Sequence, residues 1–233
     1  MEIGTLSTFF SMEANQLGRA RVEHTEQERD EEGTGAIARC VVHYPEGDIG
    51  VEERVNLDHA SGTRTLALTA LSDVWLMDVV HRMVFSLSDV RMIRIGGEVI
   101  PHARRNRYHQ RPMCPVSVTM QEGVTLRLEG RAAGGPAGMD PVVYVRDEPG
   151  LWIVHFRLLA TRPERVVLKG CHRLYNRPFP GWIQGAARRA PSLLRKALYV
   201  RERVSQRIPF QANGAVMVPK GHEARLTTRW EWT

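Results

Sequence analysis

The sequence predicts a mainly β protein. The expected form is one antiparallel, barrel-like or strongly curved sheet domain over residues 1–233, with two helical insertions at 73–85 and 181–205. Three observations carry this. About ten short segments alternate apolar and polar residues, the two-residue period of a strand with one buried face. Glycine and proline turns separate them, as at Gly96-Gly97, Gln121-Glu122-Gly123 and Pro149-Gly150. The chain is 42% hydrophobic, enough for a core, yet holds no run of eighteen apolar residues that would span a membrane as a helix.

In order, an apolar patch of Leu6, Phe9, Phe10 and Met12 suits a first strand. The acidic stretch 23–32 reads as a solvated turn or loop. Strands follow at GAIARCVVHY and VEERVNLD. In TRTLALTAL, Leu66, Leu68 and Ala70 share one face and Thr65, Ala67 and Thr69 the other. A second face so small and free of charge is expected to line an enclosed space.

Trp75, Leu76, Val79, Val80, Met83 and Val84 recur at helical spacing, with Ser72 as N-cap, so 73–85 is expected to be a helix. Asp78 and His81 would then pair on its polar side. VRMIRI, Gly96-Gly97 and EVI form a hairpin. The exit from 102 to 111 holds four arginines with His102, Tyr108 and His109. It reads as a solvated loop or an anion-binding rim with Tyr108 to stack on.

Val116, Val118 and Met120 answer Val124, Leu126 and Leu128 across a hairpin. Two more strands flank Pro149-Gly150. The turn at Thr161–Glu164 is expected to pair 151–160 with 165–175, placing His155 opposite Gly170 and Ile153 opposite His172. One face would then hold His155, Arg157 and His172, the other Trp152, Val154, Phe156 and Leu158. In 181–205 an alanine-rich apolar stripe opposes six Arg or Lys against one Glu, with Pro191 splitting the helix. The last strands flank Lys220-Gly221, and Trp230 and Trp232 imply that the final one is paired within a sheet.

Composition limits the function. Three distant cysteines, Cys40, Cys114 and Cys171, form neither a disulfide framework nor a zinc pattern, and a reducing cytoplasm is expected. The N-terminus lacks the basic region of a signal peptide. The net charge of +6 is almost all arginine, since only Lys169, Lys196 and Lys220 are lysines. Nine histidines make no HxH or HxxxH pair, so no metal is expected. No phosphate loop, dinucleotide fingerprint or GxSxG elbow occurs, so no nucleotide cofactor and no standard hydrolase triad are expected.

The remaining catalytic candidates are His155, Arg157, His172, Asp78 and His81. Tyr108, Tyr144, Thr65, Thr69 and Trp75 are candidates for substrate contacts. They point first to a metal- and nucleotide-independent enzyme acting on an apolar small molecule, a cyclase, isomerase or lyase of secondary metabolism, working by orientation and carbonyl polarisation. In architecture alone this resembles the small β-barrel cyclases of polyketide metabolism, and no residue carries over. The second class is a carrier or sensor of an apolar ligand. The third is a binder of an acidic macromolecule, with an acidic carrier protein docking on Arg188, Arg189 and Arg195; aromatics not interleaved with arginines weigh against nucleic acid.

Overall fold

The structure, a computed structural model, describes residues 7–10, 21–29, 34–44, 47–103, 108–170, 177–178, 182 and 210–233. They form three antiparallel sheets. The first has five strands in the order β1 (Ser7–Phe10), β7 (Asp78–Ser86), β14 (Leu151–Ala160), β13 (Met139–Glu148) and β10 (Tyr108–Pro112). The second has nine: β2 (Arg21–Arg29), β3 (Gly35–Tyr44), β4 (Gly47–Asp58), β5 (Ser61–Ala70), β18 (Glu223–Trp232), β12 (Thr125–Ala133), β11 (Val116–Met120), β8 (Val90–Ile95) and β9 (Glu98–Ile100). The third has four: β16 (Arg177–Pro178), β15 (Arg165–Gly170), β17 (Phe210–Val218) and β6 (Val74–Leu76).

The two smaller sheets pack on one face of the nine-stranded sheet. One core cluster joins Leu66, Leu68 and Leu226 to Val74, Val79, Leu158 and Val216. The other joins Ile93, Val118, Leu128 and Trp230 to Met83, Trp152, Val154 and Phe156. Every sheet ends in two edge strands, so the expected barrel is not closed. Alternation dictates which side chains point inward; it carries no information about which strands lie side by side.

The helix expected at 73–85 is two strands, β6 and β7. Residues 79–81 and 83 are all buried because β7 is covered on both faces, and a doubly buried strand mimics the apolar spacing of a helix. The valines at 74, 79, 80 and 84 favour that outcome. The second expected helix, 181–205, falls outside the described residues except for Trp182, which is exposed. The acidic stretch expected as a loop overlaps strand β2, which pairs with β3 and leaves Glu23, Glu26 and Glu28 in solvent.

Several local expectations hold. Gly96 and Gly97 have φ of 56° and 89°, the pair of left-handed residues that a two-residue hairpin uses. Val116 pairs with Leu128 and Val118 with Leu126. β18 sits in the middle of the nine-stranded sheet, between β5 and β12. One register does not hold. β14 pairs with β13 and β7, while β15 crosses to pair with β17 and β16. Gly170 therefore lies opposite Phe210 and not His155. The turn after β14 changes sheets, which its residues do not reveal.

Close packing reaches the backbone at Gly62, which lies opposite Trp230. A Cβ at Gly62 would stand 2.2 Å from Trp230 Cζ2. Gly62→Ala is expected to destabilise the protein by about 1–3 kcal/mol through overpacking, read as a lower urea midpoint. The same change in a Trp230→Leu background, where the indole is gone, is expected to cost less.

Candidate functional site

The two-residue period sorts the candidates. On β7, Asp78, Val80 and Arg82 share one face; Val79, His81, Met83 and Phe85 share the other. On β14, His155 and Arg157 share a face opposite to Val154, Phe156 and Leu158. The register sets His155 between Tyr144 of β13 and Arg82 of β7, and Arg157 between Val142 and Val80. Asp78 is one step further along β7, on the same face.

This face points away from the nine-stranded sheet, yet it is buried. Asp78 is 2% exposed, Arg157 3%, His155 5% and Tyr144 1%. Arg157 Nη2 donates a hydrogen bond to Asp78 Oδ2 within an ion pair. Asp78 Oδ1 is buried without a hydrogen-bond partner. The Arg157 guanidinium carbon stands 5.0 Å from the centre of the Tyr144 ring, a cation–π contact. The Tyr144 and His155 ring centres are 4.3 Å apart, tilted at 52°. Carboxylate, guanidinium, phenol and imidazole thus stand in one row on this sheet face, the groups that acid–base chemistry on a polar ligand would need. Removing one partner of a buried ion pair strands the other charge, so Arg157→Ala is expected to cost about 3–5 kcal/mol, measured by denaturant unfolding.

The expected Asp78–His81 pair does not form. Residues three apart on a helix are neighbours, but on a strand they point to opposite faces. His81 is fully buried between the sheets, its Nδ1 2.8 Å from Thr228 Oγ1 of β18. Its Nε2 has no partner. A neutral ring donating from Nδ1 leaves only a bare lone pair at Nε2, which costs less than a buried unpaired N–H. Burial, reinforced by the Arg64 charge, drives its pKa down to about 3. Arg64 is paired with Glu53 and lies opposite Thr228. These side chains form a polar seam between the two apolar clusters. Neither Arg64 nor Glu53 was among the sequence candidates; their placement on the buried phase of their strands was the available signal.

The linkage has a definite sign. Between pH 6.5 and about 3 the unfolded chain protonates His81 and the folded chain does not. The contribution of His81 is fully present above pH 6.5 and is lost as pH falls towards 3, on the order of a few kcal/mol. Unfolding free energies measured from pH 7.5 to pH 4 should fall more steeply for the native chain than for His81→Gln.

The remaining candidates are scattered. Thr65 and Thr69 lie on the outer face of the nine-stranded sheet, separated from His155 by the sandwich core. Thr65 Oγ1 is 3.2 Å from Thr227 Oγ1. Thr69, with Gly50 and Ala67, lines an open groove of 610 Å³ walled by Arg39, Glu52 and Arg225. Glu52 is held below the usual carboxylate range by hydrogen bonds from Arg54 and Arg39. The small face of β5 therefore lines an open groove and not the enclosed space expected beside His155. Trp75 packs on Met77 and Ala215. Tyr108 lies opposite Arg146 at the edge of the His155 sheet. His172 and the arginines 188, 189 and 195 fall outside the described residues. Among the described residues no group of three His, Cys, Asp or Glu is placed to hold a metal ion, and no helix is long and apolar enough to cross a membrane.

No family model matches the chain, and no curated protein does. Solved structures do. A candidate aldose 1-epimerase from Escherichia coli K12 superposes with a TM-score of 0.53 at 8% identity, covering 91% of this chain and 68% of that one. A galactose mutarotase related enzyme from Lactobacillus acidophilus gives a TM-score of 0.48 at 9% identity, over 89% of this chain and 70% of that one. A galactose mutarotase-like protein from Clostridium acetobutylicum gives 0.45 at 6% identity, over 91% and 66%. Identities this low speak to fold alone, and only the first superposition is close enough to bear on it. What the chain shares with that protein is an antiparallel β-sandwich.

Proposed function

We propose that the chain is a metal- and nucleotide-independent isomerase-type enzyme whose site is the face bearing Asp78, Arg157, Tyr144 and His155, and whose substrate is an aldose. The observation that carries the reading is the burial of these four polar side chains on the sheet face turned away from the core. Side chains of this kind are costly to bury, and a sheet needs none of them there to fold. The substrate class draws support from the fold shared with a candidate aldose 1-epimerase. It also draws support from the site's own chemistry. An apolar substrate, as first expected, would leave Asp78 Oδ1 unpaired, whereas a sugar hydroxyl can donate to it.

Anomerisation of an aldose needs one proton removed and one delivered. In this proposal His155 takes the proton of the anomeric hydroxyl while the Tyr144 phenol protonates the ring oxygen. The bond from C1 to the ring oxygen breaks, leaving the open-chain aldehyde. Rotation about C1–C2 turns the other face of the carbonyl towards the hydroxyl. Ring closure then runs the same transfers in reverse, so both groups recover their starting states. Imidazole suits the first role because its ordinary titration lies nearest neutrality. The Arg157–Asp78 pair anchors the remaining hydroxyls.

Polarimetry on freshly dissolved α-D-glucose and α-D-galactose tests the reading. Mutarotation is expected well above the spontaneous rate, falling by about 10²-fold or more in His155→Ala with the fold retained. A rate equal to the spontaneous one with both sugars would refute it, and binding without turnover would leave a carrier of the same ligand.

A further inference from the structure

We infer that this face accepts neutral, hydroxyl-bearing ligands and rejects their phosphate esters, with Asp78 as the group that sets the preference. The inference rests on the site reading above and concerns charge. Among the described residues three guanidiniums share the face, and each has a partner. Arg157 is paired with Asp78 and Arg146 with Glu148, and Arg82 also has a partner. The carboxylates of Asp78 and Glu148 already balance Arg157 and Arg146, so neither of these two charges is spare for an incoming anion.

What the face leaves open is an acceptor. Asp78 is 2% exposed, its Oδ2 takes the hydrogen bond from Arg157, and its Oδ1 has no partner. An ionised carboxylate oxygen accepts and cannot donate, so the group that completes it must bring a hydrogen. A phosphate oxygen there would meet a second anion in a buried setting, where like charges repel strongly. An ammonium ligand fares little better, because Arg157 already cancels the charge of Asp78 and stands beside it. A neutral hydroxyl meets both conditions: it donates to Oδ1 and adds no charge. Such a bond to a charged acceptor is worth roughly tenfold in affinity or more.

The experiment compares D-glucose and D-galactose with their 6-phosphates, for the native chain, Asp78→Asn and Asp78→Asn/Arg157→Gln. The native chain is expected to favour each neutral sugar over its phosphate by at least about tenfold in kcat/KM. Asp78→Asn releases the Arg157 charge and should narrow that ratio by about tenfold or invert it. The double variant removes both charges, so it restores a neutral pair and should not gain the phosphates; this separates charge from a folding defect. Equal use of sugar and phosphate by the native chain, or an unchanged ratio in Asp78→Asn, would overturn the inference while leaving the isomerase reading in place. If no aldose is turned over, that reading fails, and ligand-induced shifts in Tm decide the inference by themselves. A shift with the neutral sugars alone sustains it. A shift with the phosphates, or with neither, ends it.

Discussion

The two-residue period of three neighbouring strands divides this molecule. β7, β14 and β13 are covered on both faces, so each must supply two different surfaces from one run of residues. One surface, with Met83, Val154, Phe156 and Val143, packs on the nine-stranded sheet. The other carries Asp78, Arg157, His155 and Tyr144. A shift of one residue in any of these registers would exchange the surfaces, putting charges into the apolar core and apolar side chains into the site. The position of the candidate site and the integrity of the sandwich are therefore the same constraint. The pairing of β14 with β13 over ten residues, from Met139 opposite Ala160 to Glu148 opposite Leu151, holds it in place.

Two buried polar groupings lie on either side of that sheet, and they are built differently. Between the sheets, His81 stays neutral, bonds Thr228, and leaves one lone pair bare. The seam it forms with Arg64 separates the two apolar clusters, and small residues make room nearby. At Gly130, opposite Thr228, an added Cβ would stand 2.3 Å from Phe156 Cδ1. On the far face, Arg157 and Asp78 are both charged and matched, and the surplus acceptor belongs to the carboxylate. The first grouping has the cost profile of core packing. The second keeps a strong acceptor buried without a partner, an arrangement that a folded core gains nothing from.

The candidate residues were legible singly, and their association was not. His155, Arg157, Tyr144 and Asp78 each stand out as a polar residue in an apolar strand. Once β14 is read as a strand, His155 and Arg157 must share a face. The sequence alone points Asp78 to a helix and to His81, because the apolar spacing of a strand buried on both sides fits a helix equally well. The charge-free face of Thr65 and Thr69 suggests a cavity lining beside His155; the tertiary arrangement sets that face on the opposite side of the sandwich, along an open groove.

By itself, the sequence determined the strand-rich class, the hairpins at Gly96-Gly97 and Pro149-Gly150, the pairing of Val116 with Leu128, and the inward phase of β5. These depend on neighbours within a few residues: turn residues that allow positive φ, and an alternation that each strand carries within itself. Only the tertiary structure decided that the sheets stay open, that β15 leaves β14 for β17, and that Asp78 meets Arg157 across 79 residues of chain. The physical reason is that a strand offers the same backbone donors and acceptors to any partner. Which partner it takes depends on the packing of the whole sandwich, and no local run of side chains encodes that choice.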